Sequence, residues 1–169
     1  MISKHKQKGA ETVEFAMVAL LLFAVLFAII EFSRALFVWN ALTEATRRGA
    51  RMAVVCPYQS TIPAKVAIFD VINGSLGSSP IIGGLTTGMV KVHYFDNNHV
   101  EILDTTKQSE IKFTEVSITG YQHQFIIPLF DVVQPFPMNQ AFKTTLPTES
   151  LGAVPTYPGD KKIDPDCKF

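Results

Sequence analysis

The clearest pattern of apolar and polar positions lies near the start of the chain. Sixteen consecutive side chains, residues 15–30, carry no polar atom, and apolar residues continue beyond Glu31 and Arg34. Neither proline nor glycine occurs from residue 11 to residue 48. The pattern predicts one long helix from about residue 12 to about residue 55, about 65 Å in length. Because its first half is apolar all round, it predicts a membrane span, which needs about 20 residues.

The second half of this predicted helix has small residues on one face and charged residues on another. Small residues recur there at every fourth position, and they are Ala41, Ala45, Gly49 and Ala53. Such a ridge predicts helix packing in which another backbone approaches closely. Opposite charges at helical spacing, Glu31 with Arg34 and Glu44 with Arg48, predict ion pairs along the same helix.

Basic residues directly precede the apolar run, and they are Lys4, His5, Lys6 and Lys8. The positive-inside rule then predicts a cytoplasmic N-terminus, with everything after the span outside. Four arginines between residues 34 and 51 oppose this on a raw count, but three of them lie well beyond the bilayer, where their weight is smaller. A cleaved secretory signal is an alternative, because Ser33 and Ala35 suit a signal peptidase. Against it, the apolar run exceeds the usual core of about 7 to 15 residues.

The remainder, residues 56–169, reads as a soluble head of class α+β. A helix is predicted over 61–72, with Ser60 or Thr61 as its N-cap and Asn73-Gly74 as its stop, followed by a loop over 75–88. Alternation predicts a strand over 90–94, a turn at 96–99 and a partner strand over 100–103. Further strands are predicted over 111–119 and 121–127, on either side of Gly120. We expect a small antiparallel sheet packed on the outer half of the long helix.

The last part of the chain holds seven of the ten prolines, from Pro128 onward. Since proline cannot donate to a sheet ladder, we expect an extended tail lying on the domain rather than regular sheet throughout. Phe130, Phe136 and Phe142 are its predicted anchors. The alternative is that they form an exposed patch for a partner subunit.

The two cysteines, Cys56 and Cys167, lie outside any CxxC or Cys/His cluster, which argues against zinc. In an oxidising compartment they can pair and tie the tail to the end of the helix. Spacing does not establish the bond, so two unpaired thiols stay the alternative.

Composition and motifs argue against an enzyme. The 15 basic and 15 acidic residues balance, so no attraction to nucleic acid is expected. The chain has no GxSxG, P-loop, HExxH or GxGxxG motif. His93 and His99 can meet across a hairpin near Asp96, but the ligands are too few for a metal site. We expect no catalysis, no cofactor, no metal and no small-molecule substrate.

The start of the apolar helix resembles a type IV prepilin signal. The basic leader ends in Gly9, the fifth residue after it is Glu14, and Phe15 follows. In that signal a membrane aspartyl peptidase cuts after the glycine, so the resemblance implies a mature chain that begins at Ala10. The Glu14 carboxylate of one subunit then meets the new α-amino group of a neighbour, because two buried opposite charges in contact cost far less than either alone. The alternative is that Glu14 lies simply among lipid headgroups.

The whole segment from about residue 8 to 56 resembles the TadE-like pseudopilins of the tight-adherence (Flp pilus) machinery. The matching parts are the G-x-x-x-x-E-F start, the E-F-x-R stretch at Glu31, Phe32 and Arg34, and the close rich in small residues and arginine from Ala45 to Ala53. A weaker likeness covers residues 113–130. Ala10 departs from the Met or Phe that commonly begins a mature major pilin.

This resemblance implies a three-part organisation: a cytoplasmic basic leader (1–9), a transmembrane and assembly helix (10–55), and an extracytoplasmic head (56–169). It implies a minor pilin in a bacterial inner membrane, with a periplasmic or extracellular head. The implied partners are a prepilin peptidase and other pilins or pseudopilins, through the helix over 15–55. The competing hypothesis is an unprocessed single-pass signal-anchor protein with an extracytoplasmic binding domain.

Overall fold

The computed structural model describes residues 8–70, 77–125, 136–137, 142–152 and 167. A long apolar helix and a small antiparallel sheet give the predicted α+β class. The elements in chain order are α1 (Lys8–Ala53), α2 (Ile62–Ala67), β1 (Val90–Phe95), β2 (Phe113–Ile118), β3 (Gln122–His123), β4 (Phe136–Pro137) and β5 (Phe142–Pro147), with 3₁₀ turns at Thr87–Met89 and Thr105–Glu110.

Helix α1 is 46 residues long, about 69 Å, and has no proline to interrupt it. It begins about four residues before the predicted start and ends two residues before the predicted end. A final turn follows, in which the Cys56 N–H donates to the Met52 carbonyl at 2.8 Å. Pro57 then supplies no N–H with which to continue the helix.

The main sheet has the order β1-β2-β5, with both pairs antiparallel. Val92 lies opposite Val116, and Val116 lies opposite Thr144. One face of the sheet packs on the outer half of α1 and on α2, as the sequence predicts. The buried residues of this core include Leu42, Ala45, Ala50, Ala67, Val90, Val116, Ile118 and Phe142.

Helix α2 is shorter than predicted. It ends at Ala67 rather than near residue 72, because Phe69 takes a left-handed conformation with φ of 65°. The Phe69 ring packs against the core, and the Arg48 guanidinium lies 4.9 Å from its centroid. These contacts compensate for a backbone conformation that bulky residues disfavour. Ser60, a predicted cap, accepts from the Ile62 N–H at 3.3 Å. The predicted stop at residues 73–74 lies outside the described residues.

The predicted hairpin partner of β1 is shorter than expected, and it is not the strand that extends the sheet. Residues 100–103 form only an isolated bridge, Phe95 with Glu101, and β2 is the strand that pairs with β1. The predicted turn at 96–99 is present, and the Asp96 carboxylate accepts from the N–H groups of Asn98 and Val100. After Asp104 the chain enters the 3₁₀ turn instead of extending the hairpin.

The proline-rich tail contains regular sheet that the sequence did not predict. Strand β5 completes the three-stranded sheet, and its one proline, Pro147, stands at the end, where no internal ladder bond is lost. Phe142 is buried, as predicted, with its ring edge-on to Trp39 at 4.8 Å. Phe130 lies outside the described residues, and only the backbone of Phe136, in β4, is described.

Candidate functional site

The predicted processing and assembly residues lie at the start of α1. Gly9 and Ala10 are inside its first turn rather than before it, and the Thr12 hydroxyl donates to the Gly9 carbonyl at 2.9 Å. Glu14 and Phe15 are exposed, with 75% of Phe15 accessible. Within the described part of the chain no ion pair involves Glu14. The structure therefore presents this carboxylate outward, at the threshold of the apolar run.

The apolar run has no protein cover along its length. Over Gly9–Ala53 the structure has a helix long and apolar enough to span a membrane, the one such helix in the described residues. Its most apolar stretch buries nothing against the head. Exposed apolar side chains on all sides of a helix need lipid tails or other apolar helices around them. This part of α1 is consistent with a membrane span.

From Glu31 onward, one face of the helix is buried against the head and the other faces stay exposed. Glu31, Val38 and Leu42 turn toward the head and are buried. On other sides of the same turns the apolar side chains remain exposed, and they are Phe32, Leu36, Phe37 and Trp39. The exposed apolar surface of α1 thus extends about two turns past the start of the head contacts.

A buried ionic cluster joins helix and head at this boundary. Glu31 is 3% exposed, and its Oε1 lies 2.6 Å from Arg34 Nη2 and 3.3 Å from His123 Nε2. Arg34 Nη2 also donates to the Gln124 carbonyl. The Glu31–Arg34 pair was predicted from spacing. The role of His123 was missed, although alternation with Tyr121, which is also buried, could have placed it on the inner face.

The environment of His123 favours the neutral imidazole. Burial lowers its pKa from the ordinary value of 6.5, and the Arg34 guanidinium lowers it further, while the hydrogen bond with Glu31 opposes the shift. A neutral ring protonated at Nε2 donates to the Glu31 carboxylate. The Nδ1 atom is buried and has no hydrogen-bond partner among the described residues. The cluster thus fixes the position of the head on α1.

The ridge of small residues serves the head of the same chain. A Cβ on Gly49 would lie 3.0 Å from Ala67 Cβ, 3.0 Å from Val116 Cγ1 and 3.4 Å from the Pro63 carbonyl oxygen. Ala45 and Ala53 are fully buried, and Ala41 packs partly against the same core. The predicted close approach of another backbone occurs, and that backbone is α2. Over residues 38–54 this face of the helix is therefore covered by the head of its own chain.

The two cysteines form a disulfide, Cys56–Cys167, with Cα atoms 5.6 Å apart. Cys56 is fully buried just after α1. The Gly152 N–H donates to the Val55 carbonyl at 2.7 Å, so a second part of the tail also returns to this end of the helix. Gly152 and Cys167 thereby both lie at the junction of helix and head.

The remaining polar candidates have structural roles. His93 pairs with Glu101 at 2.5 Å instead of meeting His99, whose ring stacks on Phe113. Asp96 serves the turn. Within the described residues no group of three or more His, Cys, Asp or Glu side chains is arranged to hold a metal ion.

The comparisons with known proteins bear on the helix. The model of the TadE-like protein family matches residues 9–51, which include Gly9, Glu14, Glu31 and Arg34 and nearly all of α1. The match confirms the resemblance over this segment. No curated protein and no solved structure matches the chain. None of these comparisons therefore covers the head that follows α1.

Proposed function

We propose that this chain is a pseudopilin, a minor pilin that takes part in assembly of a Flp-type pilus or a related tight-adherence secretion machine. The family match over residues 9–51 indicates a pilus-associated protein. The single observation that carries the finer role is the apolar half of α1, which is exposed on all sides and has Glu14 at its start. Its role is structural rather than catalytic.

Maturation is proposed to occur between Gly9 and Ala10, by a prepilin peptidase. Cleavage removes the basic leader and leaves an α-amino group four residues before Glu14. When apolar helices pack side by side, a carboxylate in that setting needs an opposite charge, and the amine of a neighbouring subunit supplies it. The pair also fixes the axial position of one helix against the next, because a slip leaves both charges unpaired.

The arrangement of helix and head favours a place at a pilus tip or in an initiation complex. Over residues 38–54 one face of α1 is covered by its own head. Only the part of the helix before Glu31 is therefore exposed on every side. A bulky head fixed this way suits a terminal or priming position better than a densely packed shaft. We propose a single pass through the inner membrane, with the head in the periplasm or outside, where the Cys56–Cys167 disulfide is chemically favoured.

The test uses two glutamates on the same exposed helical turn. We expect Glu14→Ala to abolish or strongly reduce pilus assembly while membrane insertion and head folding persist, because Glu14 makes no ion pair with described residues of its own chain. Glu11→Ala is the matched control, since Glu11 is also exposed and lies three residues earlier. Pilus yield and membrane fractionation are measured for both.

The mass of the membrane-extracted protein tests the cleavage itself. A chain that starts at Ala10, and a Gly9→Leu variant that keeps its leader, support the proposal. Space around Gly9 is open, so that variant does not disturb the fold. A wild-type chain that retains residues 1–9 and still assembles, or normal assembly by Glu14→Ala, would contradict it. The unprocessed signal-anchor hypothesis would then explain the chain better.

A further inference from the structure

A groove runs between the outer edge of β1 and helix α2. Its volume is about 620 Å³. Thr87 and Gly88 line it beside the start of β1, and Gln59 lines it near Tyr94, at the other end of the strand. The walls come from β1 and α2, with Val90, Val92, Ala64 and Lys65 among the lining residues.

The backbone of β1 presents hydrogen-bonding groups to this groove. The Met89 carbonyl accepts from the Thr119 N–H at 3.0 Å, so by alternation Lys91 and His93 bond to β2. The N–H and C=O of Val92 therefore point away from β2, and no described residue hydrogen-bonds to them.

The same edge is closed on either side of Val92. The Val90 N–H donates to the Thr87 carbonyl, and the Tyr94 carbonyl accepts from the Ile102 N–H at 2.7 Å. The accessible part of this edge thus runs from the Val90 carbonyl to the Tyr94 N–H. It is long enough for about three residues of an added strand.

The side chains around this part of the edge are apolar or neutral and polar, and Lys65 is the one charged side chain among the residues that line the groove. Val90, Val92 and Ala64 form an apolar lining, and Lys65 is half-buried at the wall. Among the described residues no acidic side chain pairs with Lys65. Lys91 and His93 project from the other face of the sheet and do not line the groove.

We propose that this groove binds an extended peptide segment of a partner protein, which adds a short strand to the edge of β1 and places a carboxylate against Lys65. Main-chain bonds to Val92 supply affinity, and the valines of β1 together with the single cation supply selectivity. The charge of Lys65 favours an acidic segment over a basic one. The proposal goes beyond the pseudopilin role and does not depend on it.

The experiment uses the full chain in detergent micelles and two synthetic probes. One probe is a capped heptapeptide of alternating valine and threonine with two glutamates, and the other has lysines in place of the glutamates. We expect the acidic probe to bind more tightly, and to slow amide hydrogen exchange at Val92 and Tyr94. Lys65→Glu should weaken binding about tenfold, while Lys65→Arg should retain it.

A backbone variant tests the added strand separately. Val92→Pro removes the outward N–H but leaves the ladder bonds of Lys91 and His93, as proline allows at a sheet edge. We expect it to abolish binding with the sheet still folded, which thermal unfolding monitors. Equal binding of both probes, or unchanged exchange at Val92, overturns the proposal. Slow exchange at Val92 without any probe also overturns it, because a segment of this chain or a second copy then covers the edge.

Discussion

At the scale of single residues, the cluster of Glu31, Arg34 and His123 joins α1 to the head through buried polar contacts. A buried carboxylate costs free energy unless it is paired, and here a guanidinium and an imidazole both reach the same oxygen. Glu31 lies directly after the apolar run. Its pairing therefore fixes the rotation of α1 relative to the head at the depth where the helix leaves the apolar stretch.

This cluster predicts that stability depends on pH. Because the pKa of His123 is lowered in the folded state, the unfolded chain binds a proton that the folded chain does not, at pH values below 6.5. Stability should therefore fall as the pH decreases from about 6.5 toward the folded pKa, with a slope of at most about 1.4 kcal/mol per pH unit. The measurement is the thermal unfolding midpoint between about pH 7.5 and 5.

His123→Gln should flatten this dependence, since the amide can still donate to Glu31 but does not titrate. His93→Gln is the control, because the His93 side chain is 36% exposed and lies away from the junction. If the wild type and His123→Gln lose stability equally over this range, another group causes the dependence.

At the scale of elements, α1 and β5 meet in a contact that the sequence did not predict. Phe142 starts β5 and lies edge-on to Trp39, and the Thr144 hydroxyl lies 3.0 Å from that of Thr46. These contacts place a strand from the tail along the helix. They also bring the chain's one tryptophan to the boundary between head and exposed apolar surface.

Phe142→Ala should destabilise the head by about 3 kcal/mol, because it removes a buried ring and leaves a cavity against α1. Trp39 fluorescence should shift to the red as its ring loses cover, and the unfolding midpoint should fall. Phe37→Ala is the matched control, since that ring is on the same helix but 55% exposed. An unshifted spectrum and midpoint in Phe142→Ala would mean that β5 does not dock on α1.

At the scale of the whole molecule, the disulfide closes a loop that contains nearly the entire head. Cys56 and Cys167 are 111 residues apart in sequence, so the bond restricts the unfolded chain strongly in the chain-entropy view. It also holds Cys167 near the end of α1, where the Gly152 N–H donates to the Val55 carbonyl.

Cys167→Ser should lower the free energy of unfolding by about 2–5 kcal/mol, and a reductant should have the same effect on the wild type. Cys167 is the cleaner position to change, because Cys56 is fully buried and its replacement also alters packing. Unfolding followed with and without reductant measures both. A reductant that leaves the wild-type midpoint unchanged would show that the bond does not form or does not stabilise the head.

Local signals along the chain were enough to predict α1, one ion pair and two strands. The apolar run, the lack of helix breakers and the i,i+3 pair of Glu31 and Arg34 depend on neighbouring residues alone, so α1 and that ion pair followed from periodicity. Strands β1 and β2 followed in the same way from alternation. The family match covers residues 9–51, which all lie in α1.

Contacts between distant residues decided the rest. The ridge at Gly49 predicts a close neighbour but not which one, and the fold supplies α2 of the same chain. Strand pairing of β1 with β2, and of β2 with β5, depends on long-range register that alternation does not encode. The joining of His123 to Glu31, 92 positions apart, likewise exists only once the sheet has packed on the helix, because burial gives that imidazole its partner and its lowered pKa.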